Sequence, residues 1–520
     1  MEKKLYLGIE LGSTRIKSVL IDSTNEPVAV GGHTWENRLV DGVWTYTLDD
    51  VWQGLQASYK AMATDYEARH GEKPSIAAMG VSAMMHGYLP LDSKGELLAE
   101  FRTWRNTSTG QASKVLTPLF GINIPLRWSI AHLYQAILNN ESHVPQIATI
   151  TTLAGYVHYK LTGENVLGVG DASGMFPIDS NTIDYHKGNL AAFDNLIADK
   201  SYGWKLAGIL PKVLSAGADA GQLTEAGAKL LDPTGNLRPG VIFCPPEGDA
   251  GTGMVATNSV TPRTGNVSAG TSIFAMLVLE RSLSKLYPEI DMVTTPDGKP
   301  VAMVHCNNGT SDLNAWVQLF HEALGLISGH TNLNDVYKKL YNAALEGDAD
   351  GGGLMAVSYL SGEHNTGFEE GRPLFMRLPD SRFTLPNFMR TLLLTSMATL
   401  KLGMDTLGEN EGVTINQLMG HGGLFTTKGV AQKLMAGALN IPVSVMDTAD
   451  EGGAWGIALL AAFMDCSGLN LGEFLANKVF ANRTGATIVP DSTDTKGFAE
   501  FMKRFAAGLK VERTAVDNFI

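Results

Sequence analysis

The chain is short of cysteine, of basic runs and of long apolar stretches, and each shortage removes a class of protein. Its 520 residues include three cysteines, Cys244, Cys306 and Cys466, far apart and in no Cys-x-x-Cys or Cys/His spacing. Scattered thiols exclude a disulfide scaffold and fit a reducing, cytoplasmic setting. The formal net charge is -13 with no dense Lys/Arg run, so no nucleic-acid partner is expected, because backbone phosphates demand a basic footprint. The longest apolar runs, such as IALLAAFM at residues 457–464, are too short to span a bilayer, so no membrane association is expected either. MEKK passes directly into a strand-like run, the pattern expected of a chain without a secretory leader. Two nucleotide signatures are also missing. No GxxxxGK[ST] string occurs, and GVGDASG at residues 168–174 has the wrong spacing for a dinucleotide loop. Any phosphate site must use another design.

What is present is globular: 44% hydrophobic and 18% charged residues, over a length that suggests two or more domains with their own cores. The 57 glycines cluster at the ends of apolar runs, as loops over a ligand cleft do and as any α/β protein does to some extent. The opening run, LYLGIELGSTRIKSVLID at residues 5–22, reads as strands at 5–9 and 16–21 around Glu10-Leu11-Gly12-Ser13-Thr14, with Lys17 close behind. An ordinary hairpin fits this pattern, and so does a phosphate-cradling turn with Glu10 beside a metal. After the polar break NSVTPRTG at 258–265, a second strand–turn–strand follows, NVSAGTSIFAML at 266–277. Two such hairpins predict two related α/β domains facing each other across a cleft, 1–257 and 258–520. Further strands are expected at 76–82 and 241–244, and helices at 51–69, 147–161, 387–407 and 427–439. The tail from about residue 472 reads as mixed surface structure.

Three stretches carry candidate chemistry. PPEGDAGTGMVA, residues 245–256, sets Asp249 among small residues after an apolar strand. A carboxylate there can orient and deprotonate a hydroxyl, and a helix-capping aspartate has the same local pattern. SIAAMGVSAMMHGYLPLD puts Met84, Met85, His86 and Gly87 at the end of a buried strand. His86 there is either a satisfied structural group or a donor to a polyol. RTWRNTST, residues 102–109, flanks Trp104 with Arg102, Arg105 and Asn106. A stacking face beside hydrogen-bonding groups suits a sugar, as it also suits a surface loop.

In this order the pieces resemble the FGGY carbohydrate kinase family, which includes xylulokinase, ribulokinase and glycerol kinase. LGIELGSTRIK resembles its first phosphate loop, MMHG its sugar-contacting segment and TWRN its Trp-x-Asp sugar loop. GDASGMFPID resembles an Asp-Ala-Ser/Ala-Gly turn, EGDAGTGMV the segment of the catalytic aspartate and VSAGTSIFAM the second phosphate loop. YLSGEH resembles a Tyr-Leu-x-Gly-Glu-Arg stretch, and LMGHGGLFTTKGVAQKLMAGALNIPV the adenosine loop, with a ribulokinase-like length.

The resemblance implies an α/β fold of two ribonuclease-H-like (actin-like ATPase) domains with ATP and Mg²⁺ between them. Residues 1–257 would supply the sugar site, the first phosphate loop and the catalytic aspartate, and 258–520 the second phosphate loop and the adenosine site. Gly12, Ser13, Thr14 and Lys17 would hold phosphate oxygens, with Gly270 and Thr271 on the other side, Ser311 nearby, and Gly422 and Gly423 under the adenine. Glu10 and Asp249 would lie at the metal. Met85, His86, Trp104, Arg105, Asn106 and Asp249 would contact the sugar, and Asp249 would take the proton of its attacking hydroxyl. The implied reaction transfers the γ-phosphate of ATP to a small sugar, a ketopentose such as xylulose or ribulose, and the reading allows a homodimer. The competing reading is an actin-like nucleotide-binding regulator or ATPase without efficient sugar phosphorylation. Four departures from the family pattern bear on that choice: Glu10 for aspartate, Asn106 for the loop's acid, His132 and Gln135 for Lys and Trp, and His364 for Arg.

Overall fold

The computed structural model of the chain describes residues 4–329, 331–446, 452–483 and 485–519. The chain divides into two compact units: residues 1–262, 278–301 and 450–483 form the first, and 263–277, 302–449 and 484–520 the second. The first break follows Pro262, and two later segments, 278–301 and 450–483, return to the first unit. Such returns are long-range packing and leave no compositional mark in the chain.

In the first unit, β1 (Leu5–Leu11), β2 (Arg15–Ile21) and β3 (Pro27–Thr34) form an antiparallel meander. Helix α1 (Leu48–His70) follows, starting at the Thr47 cap and ending at Gly71 in the left-handed region. Strands β4 (Ile76–Ala83), β5 (Ile242–Phe243) and β6 (Glu247–Gly248) then add in parallel, giving the order β5-β4-β1-β2-β3 with β6 also on β4. Helix α2 (Asp249–Ala256) continues directly from β6.

Alternation along β1 decides which residues meet which layer. Leu5, Leu7, Ile9 and Leu11 are buried in one core with Val51, Leu55, Tyr59 and Met62 of α1. Tyr6, Gly8 and Glu10 consequently point to the opposite face, since side chains alternate along a strand. On that face the helix Gly452–Phe463 lies so close that a Cβ on Gly8 would collide with the carbonyl oxygen of Ala454. Only glycine permits that approach.

The second unit repeats the plan within itself. Strands β7 (Thr264–Ala269), β8 (Ile273–Val278), β9 (Pro300–Cys306), β10 (Gln417–His421), β11 (Val443–Val445) and β12 (Ala486–Ile488) are neighbours in the order β9-β8-β7-β10-β11-β12. As in the first unit, the hairpin pair is antiparallel and its first strand pairs in parallel with a strand that arrives much later. This is the ribonuclease-H-like arrangement expected of both halves.

Two sequence expectations change. The stretch 147–161 is a strand, Thr149–Thr151, followed by a helix, Leu153–Thr162, capped by the Thr152 side chain. The tail ends in a helix of 27 residues, Ser492–Asn518, capped by Asp491 and buried along Phe498, Phe501, Phe505 and Gly508. No helix among the described residues is long and apolar enough to cross a membrane.

Candidate active site

Three parallel strands of the first unit, β1, β4 and β6, end together, so the turns that follow them lie side by side. These turns carry Gly12–Thr14, Met84–His86 and Asp249, and the carboxyl ends of parallel strands are where open α/β sheets place ligands. Glu10 stands one residue before the end of β1, opposite Lys17 in the β1–β2 register. Its carboxylate accepts the Ala454 amide at 3.1 Å, at the start of the Gly452–Phe463 helix, where the helix dipole favours negative charge. Burial, and then the nearby charge of Asp249, still push Glu10 up to about 7 against the pull of the Ala454 and Gly453 amides and of Lys17.

The turn at residues 12–14 is closed by the Gly12 amide on the Arg15 carbonyl at 3.0 Å. Trp104 reaches this turn from the candidate sugar loop, its indole N–H donating to Ser13 Oγ at 3.2 Å. Because the indole occupies only a lone pair of Oγ, the hydroxyl proton of Ser13 is left to donate elsewhere.

Asp249 is the first residue of α2, whose cap position is Gly248 and has no side-chain cap bond. The Asp249 carboxylate instead bridges two segments: Oδ1 accepts the Met85 amide at 3.0 Å and the Ala250 amide at 2.9 Å. Burial raises its carboxyl above the ordinary range, partly offset by these amides. His86, with φ 71°, is buried with its ring stacked on Trp128 and its Nδ1 3.1 Å from the Gly174 carbonyl. Since a carbonyl only accepts, Nδ1 carries the proton in that bond.

Two carboxylates that sequence reasoning misses complete the neighbourhood. Glu247, on β6, accepts the amides of Gly170 at 3.2 Å and Asp171 at 2.9 Å. Asp171 accepts the Thr152 hydroxyl at 2.6 Å on one oxygen, while its buried Oδ1 has no partner among the described residues. The available signal is a glutamate two residues before Asp249, set directly after Pro245 and Pro246. Burial raises Asp171 to about 7, and burial followed by the charge of Asp171 raises Glu247 to about 8. Raised acids bind more protons folded than unfolded between about pH 4 and pH 8, so their contribution to stability is full below that window and is lost as pH rises through it. The melting temperature should therefore fall as pH rises from 5 to 8, and Glu247→Gln should flatten the slope whatever its own melting temperature. Equal slopes in differential scanning fluorimetry would exclude the pair as its cause.

Elsewhere the sugar-loop candidates diverge. Asn106 is buried and spent on the backbone: Nδ2 donates to the carbonyls of Trp44 at 2.8 Å and Thr103 at 3.0 Å, and Oδ1 accepts the Trp44 amide at 2.9 Å. It shapes the loop, and both of its amide protons are used there. Arg105 is exposed and lies over the Trp44 ring, 3.8 Å from its centroid. His132 is fully buried beside Tyr88, and burial pushes its imidazole down to about 3.

In the second unit, the candidate nucleotide residues also gather at strand ends. Gly270 and Thr271 form the turn between β7 and β8, and their carbonyls accept the amides of Thr310 at 2.9 Å and Gly309 at 2.8 Å. Ser311 opens the helix Ser311–Ser328 directly after them. Gly422, with φ 96°, follows β10 and packs so tightly on Ala269 that a Cβ would lie 2.6 Å from its carbonyl oxygen, while Gly423 beside it is open.

The geometry has counterparts in known proteins. The FGGY family of carbohydrate kinases matches in both parts, its N-terminal domain over residues 5–249 and its C-terminal domain over 265–464. A xylulose kinase of Haemophilus influenzae is 22% identical over 521 residues, spanning 97% of this chain and 99% of its own. The crystal structure of xylulose kinase from Rhodospirillum rubrum has a TM-score of 0.80 at 18% identity, covering 98% of this chain and 99% of that one. Gluconate kinase from Lactobacillus acidophilus has a TM-score of 0.80 at 16% identity, covering 100% and 99%. With both domains matched in order over most of its length, the chain belongs to the FGGY family of carbohydrate kinases and is an ATP-dependent sugar kinase.

Proposed function

We propose that this kinase phosphorylates a small ketopentose, such as xylulose or ribulose, with Asp249 as the general base. The observation that carries the reading is the Asp249–Met85 bond, which holds a half-buried carboxylate against the segment bearing His86. A sugar hydroxyl seated there can lose its proton to Asp249 as it attacks the terminal phosphorus in line. His86, Met85, Trp104 and Arg105 are the residues we assign to the sugar, with Asn106 shaping their loop. Gly12, Ser13, Thr14 and Lys17 are assigned to the phosphates, and Gly270, Thr271, Ser311, Gly422 and Gly423 to the remainder of the nucleotide. The similar proteins named xylulose kinase support a ketopentose, and the gluconate kinase of like fold marks the acid sugars as the comparison to run.

Glu10 and Asp249 fit a magnesium ion. Among the described residues no three His, Cys, Asp or Glu side chains gather as a metal set. Mg²⁺ needs only one or two protein carboxylates, because water and phosphate fill its other positions. Two half-buried acids, one raising the proton affinity of the other, are a donor pair of that kind. The bound ion would neutralise phosphate charge, while the protein's own groups set orientation and take the proton. The free cysteines are consistent with the cytoplasm as the working compartment.

A coupled ADP-release assay across ketopentoses, hexuloses, polyols and aldonates tests the reading. One ketopentose should exceed every other acceptor in kcat/KM by about tenfold or more, because an unmatched buried polar group penalises the wrong sugar. An aldonate or polyol in first place would overturn the ketopentose assignment. ADP release indifferent to every acceptor would favour the ATPase or regulator reading.

A further inference from the structure

The carbonyl oxygens of the first turn are taken from behind by two aromatic residues. Trp35 Nε1 donates to the Gly12 carbonyl at 2.7 Å, and the Tyr46 hydroxyl donates to the Ser13 carbonyl at 2.5 Å. The backbone amide of Trp35 donates to the next carbonyl, that of Thr14, at 3.2 Å. The two rings stack with centroids 4.1 Å apart and planes at 24°, and they are 7% and 2% exposed. Phe101, at the entry to the loop of Trp104, lies 6.5 Å from the Tyr46 ring.

The same bonds set the opposite side of the turn. A trans peptide is planar, and its C=O and N–H point in opposite directions. Anchoring the Gly12 and Ser13 carbonyls toward Trp35 and Tyr46 therefore aims the amides of Ser13 and Thr14 away from them. Consecutive amides presented from a tight turn make an anion-binding concavity. Donors fixed before the ligand arrives need no reorganisation when charge develops, which is where electrostatic catalysis gains most.

We propose that Trp35 and Tyr46 are positioning residues of the phosphoryl-donor site, setting the amide face of Ser13 and Thr14 without touching the nucleotide. The inference rests on the reading of that turn as a phosphate loop. No local motif marks these two aromatics, and only the meander and the loop after it bring them behind the turn.

Binding of ATP and of AMP to the full chain, measured by calorimetry with Mg²⁺ present, tests the proposal. Tyr46→Phe keeps the stacked ring and removes only the hydroxyl, and with it the bond to Ser13 and the hydrogen bond with Asn37. It should cut the preference for ATP over AMP by about fivefold to tenfold, the scale of one hydrogen bond, while AMP affinity stays as in wild type. Trp35→Phe should act in the same direction, and a melting curve checks that each variant is folded. A merely structural role would lower the melting temperature and leave the ATP:AMP ratio where it was, and that result would overturn the proposal. Gly12→Val separates this failure from failure of the underlying reading. If Gly12→Val abolishes the ATP preference and Tyr46→Phe leaves it intact, the turn binds phosphate and the aromatic pair does not set it. If Gly12→Val leaves the preference unchanged, the turn is not a phosphate loop and the proposal falls with it.

Discussion

Asp249→Asn should lower kcat by roughly 10²–10⁴-fold, the usual worth of a positioned general base, and leave ATP affinity nearly unchanged. Asparagine keeps an Oδ1 acceptor, so the amides of Met85 and Ala250 retain their partner and the two segments stay joined. What disappears is the charge that takes the hydroxyl proton. Because burial already disfavours that charge, its removal should cost no stability, and the melting temperature should hold or rise. Phosphate positioning and loop dipoles are untouched, so residual turnover above the uncatalysed rate is expected. A capping role predicts the reverse, a lower melting temperature with near-normal turnover in the folded fraction. Gly248, with no side-chain bond, already occupies the cap position of α2. Wild-type kcat in a folded Asn variant would remove Asp249 from the chemistry.

What can be read in the chain is local. The strand–turn–strand at each domain start is legible because β-branched and leucine-rich runs flank short Gly-Ser/Thr turns, and the alternation in β1 fixes the side on which Glu10 emerges. Asp249 is legible because small residues surround a carboxylate after an apolar strand. The helix Ser492–Asn518 is legible in principle, since Phe498, Phe501 and Phe505 repeat at helical spacing.

The remainder depends on contacts between distant residues. Asn106 looks like a sugar ligand because its neighbours are Trp104 and Arg105, yet its amide is consumed by Trp44, 62 positions away. Glu247 meets the amides of residues 170 and 171, and the helix receiving Glu10 lies 444 positions downstream of it. No window of periodicity contains such pairs. The return of 278–301 and 450–483 to the first unit is hidden for the same reason. The glycine at position 8 is a trace of it, readable once the helix over it is known.

Glu10→Gln should raise the Mg²⁺ concentration needed for half-maximal activity by about tenfold or more, the range seen when groups that hold or orient a metal are altered. The amide keeps an oxygen for the Ala454 N–H, so the start of the Gly452–Phe463 helix remains satisfied. It also ends the repulsion between Glu10 and Asp249 that helps push Glu10 up to about 7. Folding of the wild type therefore loses stability as pH rises from about 4 through 7 on account of this group, and the variant should not. Its melting temperature at pH 8 should equal or exceed that of wild type while its activity falls, the trade expected where two acids are held together for function. Glu10→Asp separates the two roles. A side chain one methylene shorter keeps the charge and draws back from the Ala454 amide, so metal dependence should stay near wild type while the melting temperature drops. Superimposable Mg²⁺ titrations for wild type and Glu10→Gln would exclude the metal role and leave Glu10 as a partner of the helix amides alone.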